Sequence, residues 1–286
     1  MMPAVSADGV WLAPAKLNLM LRVLGRRSDG YHRLQTIFQF IDHCDRIRIK
    51  VRPDGQIIRV RGAAEVAAED DLVVRAARLL QRATGCRSGA EIDVDKRLPM
   101  GGGLGGGSSD AATMLVALNR LWGLGLDEDT LADLGLALGA DVPVFVRGRA
   151  GWAEGVGEHL TPVALPQPWF VVIRPPCHIS TAAVFGDPDL TRDSSPITIT
   201  GFLEGDARND CLPVVLRRFP VVSEAFDWLS RRGSARLTGT GSCIFAAFDE
   251  RSAAESVRAE APPQWSAFVA RGLNCSPLFT PIDEMD

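Results

Sequence analysis

Between residues 10 and 24 apolar side chains dominate, interrupted by Pro14, and the stretch reads as extended chain. The turn signal Arg26-Arg27-Ser28-Asp29-Gly30 separates it from a second β-like stretch at 34–41, and alternation of Ile47, Ile49 and Val51 marks a third strand. Pro53-Asp54-Gly55 then turns the chain into Ile57-Ile58-Arg59-Val60, the pattern of an antiparallel hairpin. A helix is predicted next, capped by Asp70 or Asp71, with Leu72, Ala76, Leu79 and Ala83 on one face and Gly85 closing it. Glu91 to Leu98 reads as a short strand. The spacing of Ala111, Leu115, Leu118 and Trp122 predicts a helix capped by Ser108 or Ser109 and stopped by Gly123; Leu131 to Leu138 is a further helix. Downstream, Trp169 to Ile173 reads as a strand, 208–218 and 221–231 as helices, and 243–248 as a strand introduced by Thr238-Gly239-Thr240-Gly241. Strands in antiparallel groups with helices between them point to an α+β fold.

The 286 residues suffice for a large core or two modest ones. Pro162, Pro166 and Pro168 crowd a short connection, which places a domain boundary there and divides the chain into 1–163 and 164–286. A net charge of -4 gives no basic field for nucleic acid. The six cysteines show no CxxC spacing and the four histidines no HExxH, so neither a disulfide framework nor a zinc site is expected. With no secretory signal pattern at the N-terminus and no run of about 18 apolar residues, the expectation is a soluble cytoplasmic protein with reduced thiols. The residues ahead of Trp11 read as a frayed tail.

Between Pro99 and Ser109 glycine occupies six of the seven positions from Gly101 to Gly107. Glycine is costly to order, so this density suits a place where a ligand approaches the main chain or φ must be positive. Followed at once by a helix, such a run gathers free N–H groups and the positive end of a helix dipole around one anion, a phosphate above all. A flexible linker is the plain alternative. The GxxxxGK[ST] phosphate loop is excluded because Ser108 follows Gly107 where lysine is needed. A GxGxxG can be forced onto Gly101, Gly103 and Gly106, with Asp127 about twenty residues on, but the Gly-Leu-Gly-Leu before Asp127 makes no second parallel strand.

Lys16 and Asn18 share one face of a strand whose other face carries Leu17, Leu19 and Leu21. They are either ordinary polar positions of an exposed sheet face or a cation and an amide set beside a reacting oxygen. Asp141 stands among apolar and small residues, with Pro143 just after it, and is either a turn or cap carboxylate or a proton acceptor held in a dry cleft by a lysine, Lys16 being the candidate. Tyr31, the chain's one tyrosine, adjoins His32 after a turn, and Phe185 follows Thr181 in a short apolar stretch; both aromatics fit packing as well as recognition.

Taken together, Pro14-Ala15-Lys16-Leu17-Asn18-Leu19, Asp29-Gly30-Tyr31-His32, the loop from Pro99 to Ser109, Gly139-Ala140-Asp141-Val142-Pro143 and Leu237-Thr238-Gly239-Thr240-Gly241-Ser242 resemble the motifs of the GHMP small-molecule kinases, in order and over almost the whole chain. The resemblance implies a two-domain α+β fold with mixed and antiparallel sheets and a deep cleft between the domains. It implies ATP as co-substrate, Mg2+, and transfer of the γ-phosphate to the 2-hydroxyl of a cytidyl-diphosphate sugar alcohol in isoprenoid precursor synthesis. Carried over, Asp141 takes the hydroxyl proton, Lys16 keeps Asp141 ionised, and Pro99, Met100, Gly101, Gly102, Gly103, Leu104, Gly105, Gly106, Gly107, Ser108 and Ser109 wrap the triphosphate. Asn18, Tyr31, His32, Thr181, Phe185, Gly239 and Thr240 fall on the substrate side, with Tyr31 and Phe185 flanking cytosine and His32 reading its polar edge. Ligands of the metal stay open between Ser108 and Ser109, with no carboxylate assigned. A monomer or weak homodimer is expected, with no nucleic acid or membrane partner. Another small alcohol such as mevalonate or homoserine, a regulator of the same fold without catalysis, and a dinucleotide oxidoreductase are the alternatives.

Overall fold

The apolar N-terminal stretch supplies one of the two long strands around which the molecule is arranged. In the computed structural model, which describes residues 9–28 and 30–280, these are β1 (Val10–Arg26) and β2 (His32–Arg52), antiparallel to each other. There follow β3 (Ile57–Arg61), α1 (Leu72–Thr84), β4 (Gly89–Asp95), α2 (Gly106–Leu121), α3 (Glu128–Leu136), α4 (Val142–Arg147), β5 (Gly151–Gly155) and β6 (His159–Pro162). The remainder comprises β7 (Trp169–Arg174), α5 (Thr181–Phe185), α6 (Ile199–Leu203), α7 (Leu212–Arg218), α8 (Pro220–Ser230), β8 (Arg236–Leu237), β9 (Ile244–Phe248), α9 (Arg251–Ala259) and β10 (Ser266–Leu273). All these strands join one ten-stranded sheet. β1 lies along β2, which also pairs with β5 through 34–38, with β10 at Phe40 and Ile41, and with β4 through 46–52. From β10 the sheet continues through β7, β9 and β8.

Three expectations for the N-terminal half are corrected. The stretches at 34–41 and 47–51 are a single strand, because the polar residues between them are satisfied without a turn. Asp42 accepts from the N–H of Arg271 at 2.8 Å, and Asp45 from that of Leu98 at 2.8 Å. Second, Pro53-Asp54-Gly55 does turn the chain, but β3 does not return against β2. β4 lies between them, antiparallel to β2 and parallel to β3, so β3, α1 and β4 form a parallel crossover. Gly89 opens β4 so close to β3 that a Cβ there would lie 2.2 Å from the Gln56 carbonyl. Third, α2 starts inside the glycine run, with Gly105 as its cap, so Ser108 and Ser109 stand in its first turn and do not cap it.

Asp71 caps α1 and Gly85 closes it in the left-handed conformation, as expected. Its buried face carries Val73, Val74, Ala76, Ala77 and Leu80, and so is rotated from the predicted stripe. α2 is buried at every residue from Ser109 to Leu118, since it packs against α1, α4 and β1 at once. The short elements β6, β8, α4, α5 and α6 carried too little periodicity to be read, and β5, α9 and β10 also went unpredicted. One core cluster lies between the sheet and α1 to α4, with Phe40, Leu115 and Phe145 among its members. A second packs α7, α8 and α9 on β7 and β9 through Val171, Val215, Leu229 and Trp265. A third, including Leu17, Met20, Ile37, Phe170 and Phe245, joins them.

The expected tail ahead of Trp11 lies outside the described residues except for Gly9 and Val10, and Val10 begins β1. All six cysteines are free, and among the described residues no helix is long and apolar enough to cross a membrane.

Candidate active site

Lys16 is placed by β1, opposite Phe40 on β2, with Asn18 opposite Phe38. Its side chain is only 3 % exposed, which would be costly for an unpaired ammonium. The structure satisfies it with two hydrogen-bond acceptors and one carboxylate. Nζ lies 3.1 Å from the Gly103 carbonyl and 3.3 Å from Asp141 Oδ2, and it donates to Asn18 Oδ1. It also stands 5.3 Å from the centroid of the Phe38 ring. The amide of Asn18 is in turn oriented by donating to Thr36 Oγ1 at 2.8 Å, and that hydroxyl donates to the Met20 carbonyl at 2.6 Å. Asn18 and Lys16 are thus a fixed pair, not solvated positions of an exposed face.

Asp141 occupies the cap position of α4, yet its side chain makes no capping hydrogen bond. It faces Lys16 instead and keeps 35 % of its side chain exposed. A carboxylate held by an ammonium and open on one side can accept a proton from a hydroxyl brought to it.

The glycine run forms the facing wall. Gly103 and Gly105 have φ of +76° and +74°. A Cβ on Gly103 would lie 2.3 Å from the Thr238 carbonyl, and one on Gly105 would meet the Phe145 ring at 2.8 Å and Lys16 Cε at 3.1 Å. Glycine is therefore demanded here by the approach of β1, α4 and the 238–241 turn, as well as by room for a ligand. Thr238 stitches the pieces together: its Oγ1 donates to the Gly103 carbonyl at 3.0 Å and accepts from the backbone N–H of Asn18 at 3.1 Å. The first N–H groups of α2, which no earlier turn can use, lie along the same wall.

These residues line one cleft of about 1090 Å³. That is at the upper end for small-molecule sites and suits two ligands of nucleotide size. Every expected site residue borders it except Ser109, which is fully buried behind the wall. At the far end His32 and Phe185 are stacked, 5.1 Å between centroids, while Tyr31 stands 62 % exposed at the rim. The His32 Nε2 accepts from Arg192 Nε at 3.2 Å, which leaves Nδ1 as the protonated, donating nitrogen. Burial, then the Arg192 and Arg26 charges, hold the His32 imidazole below its usual range and so neutral at pH 7. The Thr181 and Thr240 hydroxyls meet at 3.1 Å and tie α5 to the glycine turn. The motif residue Asp29 lies outside the described residues.

Sequence reasoning missed Phe38, Thr36 and Arg192, none of which carries a local signal. It also missed Lys96 and Asp110, which border the cleft. The charged residues Asp93, Asp95, Lys96 and Arg97 shortly before the glycines were the available hint. No group of three or more His, Cys, Asp or Glu side chains among the described residues is arranged to hold a metal ion.

Residues 71–149 match the GHMP kinases N terminal domain, and residues 199–266 match the GHMP kinases C terminal. A protein from Halorhodospira halophila named 4-diphosphocytidyl-2-C-methyl-D-erythritol kinase is 58 % identical over 278 residues, covering 96 % of both chains. One of the same name from Pseudomonas paraeruginosa is 56 % identical over 273 residues, covering 96 % of this chain and 97 % of its own. A crystal structure of 4-(cytidine 5'-diphospho)-2C-methyl-D-erythritol kinase superposes with a TM-score of 0.77 at 35 % identity, covering 92 % of this chain and 98 % of that one. A crystal structure of mevalonate kinase gives a TM-score of 0.68 at 16 % identity, covering 93 % of this chain and 99 % of that one, a likeness of fold alone.

Proposed function

The chain belongs to the GHMP kinases, and on that basis we propose that it phosphorylates the 2-hydroxyl of 4-diphosphocytidyl-2-C-methyl-D-erythritol, the alcohol its relatives are named for, at the expense of ATP. The observation that carries the chemistry is the placement of Lys16 Nζ between Asp141 Oδ2 and the Gly103 carbonyl, on the wall between the carboxylate and the glycine loop.

In this reading the loop from Pro99 to Ser108 and the free N–H groups of α2 hold the triphosphate, with Ser109 supporting from behind. Asp141 receives the proton of the attacking hydroxyl on a carboxylate oxygen. Lys16 keeps that carboxylate ionised and answers the charge that develops on the transferring group. No covalent intermediate is needed, because phosphoryl transfer depends chiefly on positioning and charge. Ser108, in the first turn of α2 and bordering the cleft, would offer a hydroxyl oxygen to a magnesium ion that arrives with the triphosphate, and magnesium takes most of its oxygens from phosphate and water. When bound, the ion neutralises the phosphate oxygens.

Asn18, Thr181, Gly239 and Thr240 surround the alcohol, while Tyr31 and Phe185 flank its cytosine. His32 stacks on Phe185, and its Nδ1–H supplies a donor for a pyrimidine acceptor. The reading keeps residues 1–163 as the ATP-binding and catalytic part and 164–286 as the substrate part, in a cytoplasmic protein that is a monomer or weak homodimer. The test is a coupled assay of ADP release with the cytidyl-diphosphate alcohol, with mevalonate as the control acceptor. Asp141→Asn is expected to lower turnover by about 10²-fold to 10⁴-fold with ATP binding retained. Turnover near wild type in folded Asp141→Asn protein, or a preference for mevalonate, would sink the proposal.

A further inference from the structure

Arg192 does not border the cleft, yet its donors converge on the residues that shape the far end of it. Nη2 donates to the Phe185 carbonyl at 2.8 Å and the Asp187 carbonyl at 2.7 Å, and Nη1 to the Leu190 carbonyl at 3.2 Å. The loop that follows α5 is thereby wrapped around one guanidinium, and the Asp187 carboxylate is itself held by Arg217 and Arg218 at 3.0 Å each. The remaining donor, Nε, meets His32 Nε2 at 3.2 Å. One side chain thus tethers the Phe185 backbone and also holds the ring stacked on Phe185.

A guanidinium has no acceptor and keeps its protons, so a nitrogen that meets its N–H must present a lone pair. His32 Nε2 is therefore fixed as the acceptor, and the proton of the neutral ring sits on Nδ1. A second ring proton would set Nε2–H against the Arg192 N–H, and burial, then the Arg192 and Arg26 charges, also disfavour it. An imidazole without such a neighbour could carry its proton on either nitrogen. Among the described residues no acceptor meets the Nδ1–H, and His32 borders the cleft, so that donor is left for a ligand. The choice of nitrogen matters for a pyrimidine. Cytosine and uracil both offer an acceptor at O2, but at ring N3 cytosine has a lone pair where uracil carries N–H. A fixed donor there pairs with cytosine and meets uracil donor to donor, the repulsive element that discrimination needs.

We propose that Arg192 is a positioning residue that sets base specificity: by donating to Nε2 it locks His32 in the Nδ1–H form, directs that N–H at ring N3, and so makes the site read cytosine and refuse uracil. The proposal rests on the reading of the His32 and Phe185 end of the cleft as the cytidyl site. The experiment measures binding of CMP and UMP to the full-length protein by calorimetry, with a non-hydrolysable ATP analogue filling the glycine loop. Alongside, the ring-nitrogen NMR signals of His32 are recorded, assigned by their loss in His32→Gln. Wild-type protein is expected to show the proton on Nδ1 and to bind CMP about tenfold to a hundredfold more tightly than UMP. Arg192→Lys, which keeps a donor-only side chain, should retain the Nδ1–H form and most of that ratio. Arg192→Met should let the proton spread over both nitrogens and bring the ratio to within about threefold.

If Arg192 only held the loop in place, Arg192→Met would weaken CMP and UMP alike and leave their ratio as it was. That result overturns the proposal, as does a wild-type ring with its proton on Nε2. If Arg192→Met does not fold, the wild-type spectrum and Arg192→Lys decide: Nδ1–H in both with the CMP preference kept supports the lock, and Nε2–H in either, or Nδ1–H with the preference lost, overturns it. Wild-type protein that binds neither nucleotide overturns the cytidyl reading, and the claim of base specificity with it, while the spectrum still reports the state of His32 by itself.

Discussion

Groups from three parts of the chain hold Lys16: it donates to its own strand and to the glycine loop, and it pairs with the carboxylate of the residue before α4. This explains why Asp141 sits at a cap position without capping. Its carboxylate balances a charge that would otherwise be buried alone. The two-residue spacing of Lys16 and Asn18 disclosed their shared face in the sequence, but the partner that gives Lys16 its role comes from 125 positions on, beyond the reach of any local pattern. The glycines were legible as a phosphate cradle, not individually. Gly105 combines positive φ with the Phe145 ring at 2.8 Å, whereas Gly107 has negative φ and only Leu72 at 3.4 Å. Gly105→Ala is therefore expected to destabilise by about 1–3 kcal/mol and to dislodge Lys16, with turnover falling at least tenfold, while Gly107→Ala stays within about 0.5 kcal/mol. Thermal melts and turnover of the two variants check this; equal effects would mean that backbone conformation at Gly105 does not matter.

At the scale of elements, ends were easier to read than partners. Asp71 and Gly85 bound α1 where the cap signals put them, because capping is a contact of near neighbours in sequence. The turn at Pro53-Asp54-Gly55 was equally plain, yet β4 pairs with β2 in place of β3, since pairing is decided by which strand can bring a helix back over the sheet. The same limit hid the start of α2 within the glycines. Asp71 also joins two elements. It accepts from the N–H of Val73 at 3.1 Å and pairs with Arg59 on β3, whose other donors reach the Ala63 and Val66 carbonyls. Asp71→Ala removes the cap, worth about 1 kcal/mol, and leaves the partly buried guanidinium without its carboxylate. A fall in Tm of about 2–4 °C is expected, larger than for Asp127→Ala at the exposed cap of α3. Equal shifts in differential scanning fluorimetry would show that the Arg59 pair adds nothing.

For the whole molecule, the informative strand is the last one. Composition placed a division in the Pro-crowded connection after β6, but nothing in the local pattern of 266–273 says that this strand lies between β7 and β2 and so carries the sheet from one half to the other. Residues beyond it then pack on the N-terminal half: the N–H of Ser276 donates to the Gly148 carbonyl at 2.9 Å, and Leu278 enters the first core. The junction is tight at Gly272, whose N–H donates to the Pro168 carbonyl at 2.8 Å and where a Cβ would lie 2.9 Å from Phe170 and 3.1 Å from Gln39 Nε2. Because the cleft draws Lys16 and Gly103 from one half and Gly239 and Thr240 from the other, with Thr238 behind them hydrogen-bonded to Gly103 and Asn18, its geometry depends on that junction. Wild-type protein is therefore expected to unfold in one cooperative transition. Gly272→Leu overpacks the junction by about 1–3 kcal/mol and should lower that single Tm by about 2–4 °C or more. It should also reduce kcat, although residue 272 borders no part of the cleft. Two separate transitions in calorimetry, or a lowered Tm with turnover unchanged, would mean that the halves fold and align independently of β10.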